Sequence, residues 1–313
     1  TYVKPKFQKG IYAMTTPDIP EITLNDGVMI PQIGFGTMDL APRDNSLQSH
    51  EVTAQGVLAA IEAGYRHFDT AQMYANEKGV GLGIARAGLH HGDFFLTSKL
   101  GNGNHRPEDV RRSFEDTLTS LGVDKLDLFL MHWPVPTLYD GDYVSTWRAM
   151  IQLIDEGMLR SAGVSNFQPE HLQRIIDETG HIPSVNQIQV HPYYGKRELF
   201  TVCAEKGIAI EAWSPLGQAA VLNDPTLAGV SENHGRTPAE IVLRWHLQQG
   251  RIVIPKTASP ARMAQNISVF DFTLSAEELL VIDKLNKDEA GRRGPDPYTF
   301  DWIPAEENAT PGR

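Results

Sequence analysis

Cysteine is nearly absent from this chain of 313 residues. The lone Cys203 can make no disulfide within the chain, which fits a reducing compartment. Its neighbours Leu199, Phe200, Val202 and Ala204 follow a helical pattern, so it reads as a small buried residue rather than a nucleophile. Positive charge is scarce as well: 28 Lys and Arg against 39 Asp and Glu leave a net charge of −11. No run of Lys or Arg offsets that balance, and a nucleic-acid partner is not expected, because phosphate binding wants a basic face. A positive pocket for one small anion stays compatible with it. No apolar run approaches the roughly 20 residues of a membrane span. Lys4, Lys6 and Lys9 precede no long apolar core, so no secretory signal is read there and a cytoplasmic protein is expected. Met14, followed by Thr15-Thr16-Pro17, reads as a start with other residues before it. Residues 1–17 are therefore taken as a flexible extension and residues 18–313 as one domain.

Two site signatures are missing too. His90-His91 has no carboxylate or cysteine partner at a metal-binding spacing, and no metal is expected. Gly34-Phe35-Gly36, Gly79-Val80-Gly81 and Gly101-Asn102-Gly103 each lack the third glycine of Gly-x-Gly-x-x-Gly. An open doubly wound sheet normally carries that fingerprint after its first strand, so its absence counts against that architecture.

What is present is regular. Hydrophobic residues make up 41% of the chain, enough for a substantial core. Alternation over residues 21–24 and 28–30 around Asn25-Asp26-Gly27 reads as a β-hairpin. Strand-like stretches then fall at 33–36, 67–69, 94–98, 126–131, 160–164, 185–190, 208–213 and 252–254. Helical patterns separate them at about 49–63, 77–87, 107–121, 143–156, 169–178, 197–206 and 238–249. Two more follow, at 260–267 and 275–285, the last opened by Ser275 with Glu278 as a capping box. Gly64, Gly157, Gly180 and Gly207 supply stops. Eight such units imply a parallel sheet closed on itself, a single (β/α)8 TIM barrel with an N-terminal hairpin. The tail from residue 287 is rich in Pro, Gly and charge; it is expected to be irregular and to lie across the barrel mouth through Tyr298, Phe300 and Trp302.

Barrel enzymes place their chemistry at the carboxyl ends of the strands. Asp69 ends the second strand, Tyr74 lies just beyond it, Lys99 ends the third and His132 the fourth. Each has an ordinary alternative: a helix cap, a surface lysine, a core histidine. Together they form a chemical set. A phenol has an ordinary pKa of about 10, and a nearby ammonium lowers it by favouring the phenolate. An aspartate holds the ammonium, and a histidine beside the phenol hydrogen-bonds a substrate carbonyl. The set is a proton donor for an alkoxide developing from a ketone or aldehyde.

Over residues 20 to about 290 the chain resembles the aldo-keto reductases. The matching stretches are Gly34-Phe35-Gly36-Thr37, Asp69-Thr70-Ala71 with Tyr74 and Asn76-Glu77, Thr97-Ser98-Lys99 and Leu130-Met131-His132-Trp133-Pro134. Gly163-Val164-Ser165-Asn166-Phe167, Asn186-Gln187 and Ile254-Pro255-Lys256 continue the series. Trp213-Ser214-Pro215-Leu216-Gly217 is similar to the prokaryotic branch that includes 2,5-diketo-D-gluconate reductases. The resemblance implies NADPH-dependent reduction of small carbonyls, keto-sugars or keto acids among them, by a monomer. It makes Tyr74 the acid/base, Asp69 and Lys99 its tuning pair, and His132 the group that orients the carbonyl. For the cofactor it implies Gly36 and Thr37; Ser165, Asn166 and Gln187 at the nicotinamide carboxamide; and Trp213 stacked on the ring. Ser214, Leu216 and Gly217 match the pyrophosphate loop, and Lys256, Thr257, Arg262, Gln265 and Asn266 the adenosine end, with Gln265 where many relatives have Glu. Met38, Trp133 and Trp302 are the expected substrate wall, unless loops 133–147 and 217–235 fold in to fill it. Some relatives serve instead as cofactor-binding regulatory or structural proteins, because fold does not fix function; the intact set of four favours an enzyme.

Overall fold

The structure is a computed structural model and describes residues 18–305. The expected flexible stretch 1–17 lies outside the described residues, as do residues 306–313.

An antiparallel hairpin opens the fold: β1 (Glu21–Thr23) pairs with β2 (Met29–Pro31). Gly27 makes its turn at φ 84°, a left-handed conformation that glycine adopts at no steric cost. Leu24 and Ile30 bury against Phe95, Leu128, Leu130, Val185 and Ile252. Most of these lie at or near the amino ends of their strands, so the hairpin closes the barrel at the end opposite the expected chemistry.

The units that follow are β3 (Phe35–Gly36), α1 (Leu47–Glu62), β4 (His67–Asp69), α2 (Glu77–Ala87), β5 (Phe95–Leu100) and α3 (Pro107–Leu121). Next come β6 (Leu126–Met131), α4 (Tyr143–Asp155), β7 (Leu159–Ser165), α5 (Pro169–Thr179), β8 (Val185–Gln189) and α6 (Arg197–Lys206). The chain then forms β9 (Ala209–Trp213), α7 (Pro225–His234), α8 (Pro238–Gln248), β10 (Ile252–Val253), α9 (Pro260–Ile267) and α10 (Ala276–Asp283). Strands β3 to β10 hydrogen-bond in chain order as eight parallel neighbours. An Ile33–Val253 bridge, with Gly34 N donating to Val253 O at 2.8 Å, joins the two ends. The result is the expected (β/α)8 barrel. Every residue of β5 and β6 is buried, as strands covered on both faces should be.

Some boundaries differ from the sequence reading. β5 runs on to Leu100, so Lys99 is held within the strand rather than at its last position. The stretch 217–235, read as loop, contains α7. Its capping signals are sound: Asp224 accepts from Thr226 N, Pro225 sits at N1 and Gly235 closes it at φ 60°. Only Leu227, Val230 and Ser231 of this helix are buried, too few apolar positions to make a visible period.

Helix α2 carries Gly79, Gly81 and Gly83 on close packing surfaces. A Cβ on Gly81 would lie 2.1 Å from Leu121 O, and on Gly79 it would lie 2.8 Å from His50 O. These approaches clamp α2 against α1 and α3, and α2 follows directly on the turn that carries Tyr74. The tail makes one 3-10 turn, Asp288–Gly291, and then crosses the mouth without helix or strand as far as residue 304. Gln189 Oε1 accepts from Arg293 N and Gly294 N, Tyr298 OH donates to Glu170 Oε2, and Asn102 Nδ2 donates to Trp302 O. Cys203 is buried, and burial pushes its thiol up to about 12, in keeping with a structural role. Among the described residues no helix is long and apolar enough to cross a membrane.

Candidate active site

Asp69 is the last residue of β4, and Tyr74 ends the 3-10 turn Gln72–Tyr74. Ala75 then turns left-handed at φ 54°. That turn brings the phenol back over the end of β5. Lys99 is fully buried there, and its ammonium has three protons to place. Nζ lies 2.7 Å from both carboxylate oxygens of Asp69, 3.0 Å from Thr70 O and 3.3 Å from Tyr74 OH. The ammonium therefore donates to the phenol oxygen, which leaves the phenol's own proton to be directed elsewhere. His132 follows β6 immediately, edge-on to the Tyr74 ring with centroids 5.6 Å apart. All four expected groups are brought together.

Their electrostatics differ from the sequence reading at one point. Burial is the largest influence on Tyr74, and it raises the phenol above its ordinary value. Lys99 pulls the other way without prevailing, so the expected net lowering does not hold. At neutral pH Tyr74 thus carries the proton a donor needs. For Lys99 burial works to lower the value, but its neighbours, Asp69 first among them, outweigh it and hold the ammonium charged. Burial, then Lys99, Arg43 and His105, keeps His132 well below its ordinary value and therefore neutral.

The residues expected at the nicotinamide form one linked chain. Ser165 Oγ donates to Gln187 O at 2.8 Å, and Asn166 Nδ2 donates to Ser165 Oγ and His132 O. Trp213 Nε1 donates to Asn166 Oδ1 at 2.9 Å, so both ends of the Asn166 amide are engaged within the protein. Gly217, at φ 56°, turns the loop after β9 against the His191 ring, where a Cβ would come within 3.1 Å. Ser214 is left-handed too, at φ 46°. The loop rests on buried His246, whose Nε2 faces Pro215 O. Gly36 approaches Ile254 O so closely that a Cβ would lie 2.8 Å from it, and Thr37 Oγ1 donates to Asp69 O. Beyond β10, Thr257 and Asn266 are buried while Lys256 and Arg262 are exposed. Lys256 Nζ reaches Asp39 O at 3.4 Å, and Gln265 donates to Glu240 rather than standing free. Arg262 lies in the first turn of α9, which Ser259 caps. This set suits an anionic dinucleotide: amides and a hydroxyl for a carboxamide, an indole for a ring, glycine-shaped loops for phosphates and two exposed cations for a further phosphate.

The substrate wall is placed unevenly. Trp133 is buried, and the residue on it is Phe300, with centroids 4.4 Å apart. Trp302 is 48% exposed and its backbone oxygen accepts from Asn102 Nδ2, while Phe300 is the tail residue packed on Trp133. Met38 is exposed. Three further residues were not read from the sequence: Arg43, whose guanidinium sits 5.8 Å from the Tyr74 ring centre, and buried His67 and Glu211 beneath Asp69. His67 and Glu211 carry a signal, since each lies two residues before a strand-tip residue and so shares its face of the sheet. Arg43 lies in the loop before α1 and carries none beyond its charge.

Comparison with known proteins agrees with this geometry. The model of the Aldo/keto reductase family matches residues 32–287. An aldo-keto reductase of Mycolicibacterium smegmatis is 48% identical over 284 residues, spanning 90% of this chain and 98% of the relative. Methylglyoxal reductase DkgA of Escherichia coli K12 is 42% identical over 289 residues, spanning 92% and 99%. Among solved structures, a Gox0644 mutant in complex with NADPH superimposes with a TM-score of 0.83 at 42% identity, covering 91% of this chain and 99% of that one. A Bombyx mori aldo-keto reductase in complex with NADP gives 0.80 at 36% identity, covering 88% and 94%.

Proposed function

Since this chain belongs to the aldo/keto reductase family, we propose that it reduces small aldehydes and ketones with NADPH and that Tyr74 gives the carbonyl oxygen its proton. The observation that carries this reading is the contact of Lys99 Nζ with Tyr74 OH at 3.3 Å and with Asp69 at 2.7 Å. NADPH, when bound, supplies the hydride. Ser165, Asn166 and Gln187 hold its carboxamide, Trp213 its ring, and Lys256 with Arg262 the 2′-phosphate. The chain's own part is the proton. Tyr74 presents it, neutral His132 orients the carbonyl oxygen, and Lys99 stabilises the negative charge left on the phenol. Asp69 keeps the ammonium charged and aimed.

The substrate is a small carbonyl compound, with keto-sugars and keto acids included. Arg43 favours an anionic substituent, because its cation lies beside the phenol and is only partly offset by its ion pair with Asp39. Tyr74→Phe tests the assignment. The variant should bind NADPH as the parent does and lose several orders of magnitude in kcat. Retention of more than roughly a tenth of kcat sinks it.

A further inference from the structure

Below the four residues of the site lies a buried group that the reaction as proposed leaves idle. Glu211 is on β9, with no exposed surface. Its Oε2 accepts from Gln187 Nε2 at 2.8 Å, and the same nitrogen donates to Asp69 Oδ2 at 2.7 Å. One amide thus spans two carboxyl groups. Its other oxygen, Oε1, makes no hydrogen bond among the described residues and lies 3.5 Å from His67 Nε2. His67 is likewise buried, and its Nδ1 faces Pro31 O at 3.2 Å. A carbonyl only accepts, so Nδ1 carries the ring hydrogen and Nε2 offers a lone pair, which Thr97 Oγ1 meets at 3.4 Å.

We propose that Glu211 is a positioning residue for the reductase site: through the shared Gln187 amide it fixes the Asp69 carboxylate, and thereby Lys99 beneath Tyr74. The inference rests on the catalytic reading given above. Charge arithmetic says how Glu211 can do this. Two carboxyl groups face one buried cation, and Lys99 commits to Asp69 with contacts to both its oxygens. The second carboxyl has no counter-ion and takes up a proton, because an unpaired buried charge is costly. That proton belongs on Oε1, because Oε2 already accepts from Gln187 and Oε1 lies beside the neutral His67 ring. The charged or titratable groups facing Glu211 are Asp69 and His67 on β4 and Lys99 on β5, while β8 supplies the neutral Gln187. Burial, then Asp69, raises Glu211 to about 8, and burial lowers His67 to about 4, consistent with a neutral acid beside a neutral imidazole.

Loss of that proton has a consequence for the reaction. As pH rises through about 8, a second carboxylate forms beside Asp69 and competes for Lys99. It also opposes the negative charge that reduction places on the phenol. The rate of reduction should therefore fall across that range.

The test combines two variants with one measurement on the parent protein. Glu211→Ala removes the bridge and should lower kcat by roughly tenfold to a hundredfold, the scale of a misplaced catalytic group. KM for NADPH should move much less. Glu211→Gln keeps an acceptor for Gln187 and stays neutral beside His67, so it should recover most of that loss. It cannot titrate, so the decline of kcat above neutral pH should vanish. In the parent, infrared spectroscopy should find a buried protonated carboxyl band at neutral pH that is lost in alkaline buffer and in Glu211→Gln. An alkaline decline that persists in Glu211→Gln, or a missing band, overturns the proposal even if Glu211→Ala fails to fold. Tyr74→Phe separates the two readings. If Tyr74→Phe stays active the catalytic reading itself is wrong; if it is inactive while Glu211→Gln keeps the parent's pH profile, only the role of Glu211 is wrong.

Discussion

Removing the Lys99 ammonium should unfold part of what holds the site together, and the size of that effect can be worked from the contacts. In Lys99→Met the side chain keeps its volume and loses its charge. Asp69 is then left buried with its carboxylate bonded to Gln187 Nε2 and no longer to Lys99. Breaking a buried ion pair by deleting one partner costs about 3–5 kcal/mol, because the other charge is stranded. A native stability of about 5–15 kcal/mol makes that a large share, and Tm should fall by roughly 10 °C. Asp69→Asn strands the ammonium instead and should cost a comparable amount. The double variant strands neither charge. Its cost should be smaller than the sum of the single costs by at least about 2 kcal/mol. Equilibrium urea unfolding of the four proteins, followed by tryptophan fluorescence and circular dichroism, measures that difference. Costs that add to within about 0.5 kcal/mol would refute the reasoning, since they would mean the pair is not energetically linked. All three variants should also be catalytically crippled, so the stability cycle reads the pair independently of turnover.

Arg262→Ala should weaken NADPH binding by roughly tenfold to a hundredfold, the scale of one charged hydrogen bond, and leave NADH binding nearly unchanged. Parallel fluorescence titrations of the two cofactors check it, and equal weakening would mean that the exposed Arg262 in the capped turn of α9 does not read the 2′-phosphate. Gly81→Ala should destabilise the protein by about 1–3 kcal/mol, because its Cβ would meet backbone at Leu121 O, 2.1 Å away. Gly229→Ala in α7, where a Cβ meets nothing within 4 Å, should instead add about 0.5–1 kcal/mol; thermal unfolding of the pair checks both signs, and equal effects would show that the close packing of α2 is not what Gly81 serves.

The barrel was legible because its signals are local and repeated. Each strand is a short apolar run with a stop before it and a capped helix after it, and eight repetitions compensate for an error at any one. The boundaries that slipped did so where a long-range partner decides them. β5 runs through Lys99 to Leu100 because Lys99 to Leu100 pair with Leu130 and Met131 on β6. Helix α7 was missed because it buries one narrow stripe, and capping residues alone do not separate a helix from a turn. The four catalytic candidates were legible for the same reason as the strands, since each lies at or next to a tip.

The Tyr74 phenol and the Glu211 carboxyl show where such reading stops. From residue types alone, an ammonium beside a phenol lowers its pKa, and that sign is right for the pair taken by itself. The net sign depends on how much water the fold removes, and burial outweighs Lys99 at Tyr74. No local pattern carries that quantity, because the groups around the phenol, Arg43, Lys99 and His132, come from separate parts of the chain. Glu211 is a different failure. Its partners are brought by the closure of the barrel: Asp69 and Gln187 lie 118 residues apart in the chain, yet one amide joins them. Half of the signal was nevertheless in view. Along a strand, every second residue faces the same way. His67 precedes Asp69 by two, Thr97 precedes Lys99 by two and Glu211 precedes Trp213 by two. Stepping back two residues from Asp69, Lys99 and Trp213 names buried polar groups below the site, whereas the same step from His132 meets the apolar Leu130. In a closed barrel such side chains find their partners in one another and in nearby backbone, as His67 does with Thr97 and Pro31 O. That inward step, taken from Trp213 on β9, leads to Glu211, the group proposed to position Asp69.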